Sequence, residues 1–242
     1  MNTQDIGLHA LRRLSFAQSP LGRFLLMLQL EHRRLRSDWL AHGTIALKRS
    51  LDVICSLAAL VLLSPLFGVI AVLVWLEDGG PVFFAQTRVG QFGREFKMYK
   101  IRSMCLDAEQ KLKELLAKNQ HQEGVTFKLK DDPRITRIGK WLRKFSLDEL
   151  PQLYNVFVGD MSLVGPRPPV PREVAKYSPQ HRRRLAIKPG LTCIWQISGR
   201  SEIDFSGQVL LDVAYIETQS FLTDLQILFK TIPAVISGKG AC

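Results

Sequence analysis

The sequence predicts a helix-rich α+β fold. A membrane-inserted helix–break–helix and amphipathic interfacial helices surround a small domain with a short β-hairpin. Three observations predict it. An apolar run from Val53 to Leu76 is broken at its middle by Ser64-Pro65. Basic residues flank that run on both sides. Beyond it, two short strand-like segments around Gly90 and Gly93 give way to stretches with helical apolar spacing. The predicted organisation is an N-terminal extension over 1–47, a re-entrant membrane hairpin over 48–78 and a cytoplasmic domain over 79–242.

Composition narrows the partners. The 242 residues carry 33 Lys and Arg against 22 Asp and Glu, a net charge of +11. Such a balance calls for anionic partners: nucleic acid, acidic lipid or phosphorylated substrates. Nucleic acid is disfavoured, because basic and aromatic residues do not interleave and no nucleic-acid-binding motif is present. Anionic membrane lipid and phosphate remain. The four cysteines (Cys55, Cys105, Cys193, Cys242) include no Cys-x-x-Cys pair, which fits unpaired thiols in a reducing compartment. The histidines show no metal-ligand spacing.

In residues 1–47, Leu21, Phe24, Leu25, Leu28 and Leu35 fall at helical spacing beside His32-Arg-Arg-Leu-Arg36. Either an interfacial helix on anionic lipid or an extension packing on a second copy in a homo-oligomer fits that pattern. The run Val53–Leu76 is long enough to cross a hydrocarbon core of roughly 30 Å if straight. Proline removes a backbone donor and unsettles the residue before it. Each half of about 11 residues then reaches only roughly 16 Å. Arg33, Arg34, Arg36, Lys48 and Arg49 precede the run; Arg88, Arg94, Lys97, Lys100 and Arg102 follow it. Positive charge on both sides favours a re-entrant hairpin with both ends cytoplasmic. A Pro-kinked spanning helix is the alternative, and Glu77-Asp78 leans that way.

Gly79-Gly-Pro81 ends the run, and Val82–Phe84 with Glu95–Tyr99 form the predicted hairpin. Asp107–Asn119 reads as a polar helix and Gln120–Asp132 as a surface loop. Ile138–Phe157 has helical apolar spacing and contains Asp148-Glu149. Gly159-Asp160-Met161-Ser162 reads as a turn. Arg172–Ile187 reads as a basic helix whose His181-Arg-Arg-Arg184 rests on lipid head groups or faces solvent. Val209–Phe229 reads as one or two amphipathic helices with Asp212 near the start.

Adjacent carboxylates on a helix diverge by about 100°, so Asp148 and Glu149 do not share a proton. They can address one ligand from two angles, one attacking while the other holds a cation. Adjacent acids are commonly just solvent-facing, but Leu147, Leu150 and Pro151 give this pair an apolar setting, and Ser146 is placed to cap a helix start. Arg167 stands between Pro166 and Pro168, a stiff mount for a planar fork that suits phosphate. An arginine pairing with a structural acid is the plainer alternative.

These stretches carry a resemblance. Lys48-Arg-Ser-Leu-Asp52, Leu63-Ser-Pro-Leu66, Tyr99-Lys-Ile-Arg-Ser-Met104, Asp132-Pro-Arg134, Ser146-Leu-Asp-Glu-Leu-Pro-Gln152, Gly159-Asp-Met-Ser162, Gly165-Pro-Arg-Pro168 and Lys188-Pro-Gly190 resemble the bacterial sugar transferases, the monotopic polyprenyl-phosphate phosphoglycosyl transferases. The resemblance implies transfer of a phosphosugar from a UDP-sugar to polyprenyl (undecaprenyl) phosphate with release of UMP. That reaction initiates exopolysaccharide, capsule or O-antigen synthesis on the cytoplasmic face of the bacterial inner membrane. It implies Asp148 as nucleophile toward the β-phosphorus, Glu149 as ligand of Mg²⁺, and Arg167, Lys100, Arg88, Arg143 and Arg200 as phosphate or structural-pair cations. Asp212 matches a family acid that anchors one of those arginines or serves the substrate site. It also implies that the Ser64-Pro65 break dips into one leaflet and returns. Cys193 stands where many members carry glycine, a subgroup difference near the substrate. A non-catalytic basic membrane-associated module is the competing class, and direct transfer without a covalent intermediate the competing mechanism.

Overall fold

The computed structural model describes residues 20–115, 132–199 and 202–237. The expected surface loop 120–132 lies outside them except for Asp132, as do Arg200 and Cys242. The chain forms two compact units, Met1–Lys48 and Arg49–Cys242. In the first, Phe24, Met27, Ile45 and Leu47 are exposed.

Helix α1 (Pro20–Leu62) ends one residue before α2 (Ser64–Asp78) begins. Pro65 has no N–H to continue the ladder, and the Ser64 hydroxyl donates to the Val61 carbonyl at 2.8 Å. The stretches Gly43–Leu62 and Ser64–Asp78 meet with a bend of 58°. Among the described residues no single helix is long and apolar enough to cross a membrane; this bent pair meets the criterion only together. Gly79, at φ 69°, closes α2 in a left-handed conformation.

One face of the pair packs on the rest of the unit. Asp52, Ser56, Ile70 and Val74 are buried, while Ile54, Val61, Leu62, Val72 and Leu76 are exposed. Two polar ties fix the packed face. Asp52 Oδ1 accepts from Ser162 Oγ at 3.1 Å and from the Leu163 N–H at 2.9 Å. The Arg49 guanidinium donates to the carbonyls of Val156 and Phe157, both at 2.7 Å.

The hairpin forms as predicted in kind but longer: β1 (Phe83–Val89) runs antiparallel to β2 (Glu95–Ile101), with Phe83 opposite Ile101 and Val89 opposite Glu95. Helix α3 (Ala108–Leu115) covers the start of the expected polar helix. The single helix expected over Ile138–Phe157 is instead α4 (Arg137–Lys144), a 3₁₀ turn at Leu147–Glu149 and α5 (Gln152–Val158). Ser146, at φ 55° and ψ 24°, breaks the path, and its side chain caps nothing.

Ser162 is not in a turn. It opens β3 (Ser162–Val164), which pairs in parallel with β4 (Gly190–Thr192), a pairing the sequence reading missed. The predicted helix Arg172–Ile187 is divided into α6 (Pro171–Val174), α7 (Pro179–Arg182) and a 3₁₀ turn at Arg183–Leu185. Pro179, which supplies no N–H to a preceding turn, makes that division. Short α8 (Ile194–Ser198) precedes α9 (Phe205–Thr218) and α10 (Phe221–Ser237), the two-helix form of the C-terminal expectation. The architecture is therefore helix-rich α+β with small two-stranded sheets. Its main core joins Met98, Leu153, Val156, Met161, Val164, Tyr215 and Ile227. A second core, Ile70, Val74, Ile101 and Leu142, joins α2 to β2 and α4.

Candidate active site

Asp148 and Glu149 sit side by side on the 3₁₀ turn between α4 and α5. A non-glycine residue at positive φ costs free energy and persists where its surroundings hold it. Ser146 is such a residue, two positions before Asp148. On the other flank α5 is pinned to β2 through Asn155, which is fully buried. Its Oδ1 accepts from the Tyr99 N–H at 3.0 Å, and its Nδ2 donates to the Lys97 carbonyl at 2.8 Å. Both backbone groups lie within three residues of Lys100, so this amide sets where Lys100 meets the carboxylates. Lys100 Nζ is 2.8 Å from Glu149 Oε1 and 3.9 Å from Asp148 Oδ2.

Arg167 reaches the pair from the β3–α6 connection. Its loop lies directly against the strand that opens at Gly190: a Cβ on Gly190 would stand 2.0 Å from the Gly165 nitrogen, and one on Gly165 2.5 Å from the Lys188 carbonyl. Only glycine permits that approach. Gly165-Pro-Arg-Pro168 and Lys188-Pro-Gly190 are thus two sides of one backbone contact, bonded from Gly190 N–H to Pro166 O at 2.9 Å and from Gly165 N–H to Thr192 O at 3.0 Å. Arg167 Nη1 comes to 3.4 Å from Glu149 Oε1. Arg88, on β1, donates to the Pro168 carbonyl at 2.9 Å and to Gln86 Oε1 at 2.6 Å. Its buried Nε has no hydrogen-bond partner among the described residues.

Arg143, on α4, donates from Nε to Ser103 Oγ at 3.2 Å. Lys100, Arg88, Arg143, Arg167, Asp148 and Glu149 all line one cleft of about 830 Å³.

Environment drives the two carboxyls apart. Burial pushes Asp148 above the usual aspartate range, and the Glu149 charge adds to it against the pull of Lys100, Arg143 and Arg167. Burial would raise Glu149 as well, but Lys100, Arg167 and Arg88 together outweigh it and hold the group at about 2. Burial and the adjacent Arg167 bring Arg88 down to about 10, which leaves it charged at neutral pH. Glu149 is thus a fixed anion in a cationic clamp, and Asp148 a buried carboxyl whose charge the same cations sustain. Chemically, the arrangement offers a buried carboxyl and an adjacent anion among four cations, the ingredients of covalent phosphoryl transfer.

Other predicted residues lie elsewhere. Asp212 is 1% exposed and does not line the cleft. Its partner is Arg184, 2.6 Å away, rather than Lys100, Arg88 or Arg143. Burial raises Asp212 to about 6 despite that partner. Arg184, expected on lipid or in solvent, is therefore buried, also donating to Tyr177 Oη at 3.3 Å. Arg182 and Arg183 keep the exposed position foreseen for the run. Ser64 and Pro65 form the helix break and do not line the cleft. The sequence reading missed Asn155, Asp52 and Arg49 as site-building residues. The signal for Asn155 was available: an amide set among the apolar residues Leu153, Val156 and Phe157.

Residues 43–238 match the family described as bacterial sugar transferase. The chain is 50% identical over 198 residues to the galactosyl transferase CpsE of Streptococcus agalactiae, covering 80% of this chain and 43% of that protein. It is 42% identical to the undecaprenyl-phosphate galactose phosphotransferase of Salmonella typhimurium, covering 86% of this chain and 44% of that protein. With the exopolysaccharide production protein ExoY of Sinorhizobium fredii it shares 45% identity, over 80% of this chain and 87% of that protein. The chain thus spans less than half the length of the first two relatives and most of the third. With the match running through both the bent helix pair and the Asp148-Glu149 turn, the chain belongs to the bacterial sugar transferase family.

Proposed function

We propose that the chain transfers a phosphosugar from a UDP-sugar to polyprenyl (undecaprenyl) phosphate, releasing UMP and starting a glycan on its lipid carrier. One observation carries the reading: a buried carboxyl, Asp148, next to an anion, Glu149, in a cleft lined by Lys100, Arg88, Arg143 and Arg167. Relatives bear matching names, among them the undecaprenyl-phosphate glucose phosphotransferase of Komagataeibacter xylinus, 37% identical over 238 residues. A module that only bound lipid would gain nothing from burying Asp148, whose desolvation disfavours its own charge.

Asp148 attacks the β-phosphorus of the UDP-sugar. The bond to the UMP oxygen breaks, UMP leaves with the electron pair, and the phosphosugar stays on the Asp148 carboxylate. An oxygen of polyprenyl phosphate then bonds to that phosphorus and the carboxylate is released. Arg167, Arg88 and Lys100 hold the non-bridging oxygens, whose charge must be met in such a transfer.

The donor chemistry suits Mg²⁺: adjacent carboxylates are hard oxygen ligands, and the recorded bonds of Glu149 go to Oε1 alone. No group of three or more His, Cys, Asp or Glu side chains able to hold a metal occurs among the described residues, so substrate oxygens would complete the shell. Glu149 would hold the ion, and bound there it neutralises charge on the diphosphate.

In this reading the bent pair Gly43–Leu62 and Ser64–Asp78 enters one leaflet and returns, with the cleft at the cytoplasmic face of the inner membrane. Exposed apolar side chains on its outer face and the basic flanks support that placement. Incubating membranes containing the chain with a panel of UDP-sugars and following UMP release tests the reading. Polyprenyl-phosphate-dependent UMP release is expected with at least one sugar; none with any would refute it.

A further inference from the structure

The cations around Asp148 fall into two groups by the elements that seat them. Arg88 and Arg167 meet at the Gly165–Pro168 loop and act on each other and on Glu149, and Arg167 acts on Asp148 as well. Arg143 acts on Asp148 and Asp132 and is bonded to Ser103. Beside Ser103, Arg102 is buried and paired with Asp78, the last residue of α2, and its Nε has no hydrogen-bond partner among the described residues. Lys100 reaches both carboxylates from the middle.

The second group is built onto the end of the bent helix pair. Glu77 Oε1 accepts the N–H groups of Arg137 at 2.8 Å and Ile138 at 3.3 Å, at the start of the helix that carries Arg143. Leu142 and Ile101 pack on Ile70 and Val74 of α2. Apolar side chains line the cleft there: Phe83, Phe84, Leu106, Leu112 and Leu147. Phe83 is 55% exposed and Leu106 63%, so this wall is open. Beside the first group the apolar lining, Pro168, Pro169, Val170 and Trp195, is buried rather than open, and Glu173, Arg172 and Gln196 flank it. A soluble nucleotide needs no apolar wall. A phosphate on a long apolar chain does, and it must arrive from where the membrane helices end.

Building on the phosphosugar-transfer reading, we propose that the two groups divide the substrates. Arg143, held by Ser103, holds the phosphate of the lipid acceptor, whose chain lies along Phe83, Phe84 and Leu106. Arg88 and Arg167 hold the diphosphate of the nucleotide donor. In the acceptor step the lipid phosphate oxygen bonds to the phosphorus on Asp148, the Oδ–P bond breaks, and its electron pair returns to the carboxylate.

In a two-step exchange, kcat/KM for the donor reports the first half-reaction and kcat/KM for the acceptor the second. Losing one charge-assisted hydrogen bond is read as roughly ten- to a hundredfold. Arg143→Gln is therefore expected to lower kcat/KM for polyprenyl phosphate by that factor, and kcat/KM for the UDP-sugar by less than about threefold. Arg88→Gln is expected to give the reverse pattern. Equal loss in both constants, or loss confined to the donor in Arg143→Gln, would overturn the division. If Arg143→Gln fails to fold, Arg143→Lys is read for the same split.

A second arm separates the lipid acceptor from bulk membrane. A short-chain isoprenyl phosphate should compete with polyprenyl phosphate in the wild-type chain and lose potency in the variant. Equal competition by phosphatidylglycerol vesicles would assign Arg143 to head groups and overturn the proposal. Failure of the underlying reading looks different, since the wild-type chain would then release no UMP with any UDP-sugar, and the division would fall with it.

Discussion

Two neighbouring carboxyls shift in opposite directions here because their surroundings differ. Glu149 touches Lys100 and Arg167, so its charge is secure at any physiological pH. Asp148 is more deeply buried and further from Lys100. Its raised pKa gives a sign: the carboxylate, the attacking form in the proposed reaction, is lost as pH falls through a value above the ordinary aspartate range. The acid limb of kcat/KM for the donor should therefore lie above that range. Lys100→Met removes a cation that favours the carboxylate, so the limb should move to still higher pH. A pH–rate series on both proteins checks this, and an unmoved limb would detach Lys100 from Asp148. Glu149→Gln should lower turnover about a hundredfold or more by removing the anchor of two cations and the proposed Mg²⁺ ligand, and excess EDTA should lower turnover through the second of these alone; full activity in EDTA would remove the metal. Asp212 belongs to a different ledger. Arg184→Ala strands its buried charge and should cost about 3–5 kcal/mol of stability, read as a fall in Tm.

At the scale of elements, the site depends on two close approaches. Gly190→Ala would drive a Cβ into the Gly165 backbone, and should cost about 1–3 kcal/mol or more while displacing Arg167. A thermal melt and the donor kcat/KM check both parts. The helix break is equally testable. Ser64-Pro65 replaced by Ala-Ala restores the missing N–H and should straighten the pair toward a spanning helix, with loss of activity. Single cysteines at Gly43 and Pro81, in a background without native cysteines, should both resist impermeant thiol reagents in intact cells and both react after permeabilisation. Gly80 is a poor labelling position because a Cβ there meets the Arg102 guanidinium at 2.7 Å. The break itself was legible, since proline acts locally whatever surrounds it. The hairpin was legible for the same reason, through Gly90 and Gly93. The single helix expected across Asp148 was not: apolar spacing continues through Ser146, and nothing local announces its positive φ. Parallel pairing of Ser162–Val164 with Gly190–Thr192 joins segments too short to show a period.

Across the whole molecule, a net charge of +11 and an open apolar face on the bent helix pair act in one direction. Binding to vesicles should rise with anionic lipid content and weaken with salt, since exposed charges are screened within about 10 Å at 0.1 M. Retained binding at high salt measures the apolar share. Which residues would meet in the cleft was largely legible, because Asp148, Glu149, Arg167 and Lys100 sit in short motifs and Arg88 and Arg143 match basic positions of the family. How they are held was not: Asn155 and Asp52 act across distances of 56 to 111 residues, which no motif spans. The proposed function rests on one chemical claim, that Asp148 carries the phosphosugar between donor and acceptor. Exchange of labelled UMP into UDP-sugar, with no polyprenyl phosphate present, tests it most directly. The wild-type chain should catalyse that exchange, with a UMP burst of at most one per active site, and Asp148→Asn should lower it by roughly a thousandfold or more while folding normally. No exchange and no burst from a chain that turns over once polyprenyl phosphate is added would contradict it, leaving direct attack by the lipid phosphate.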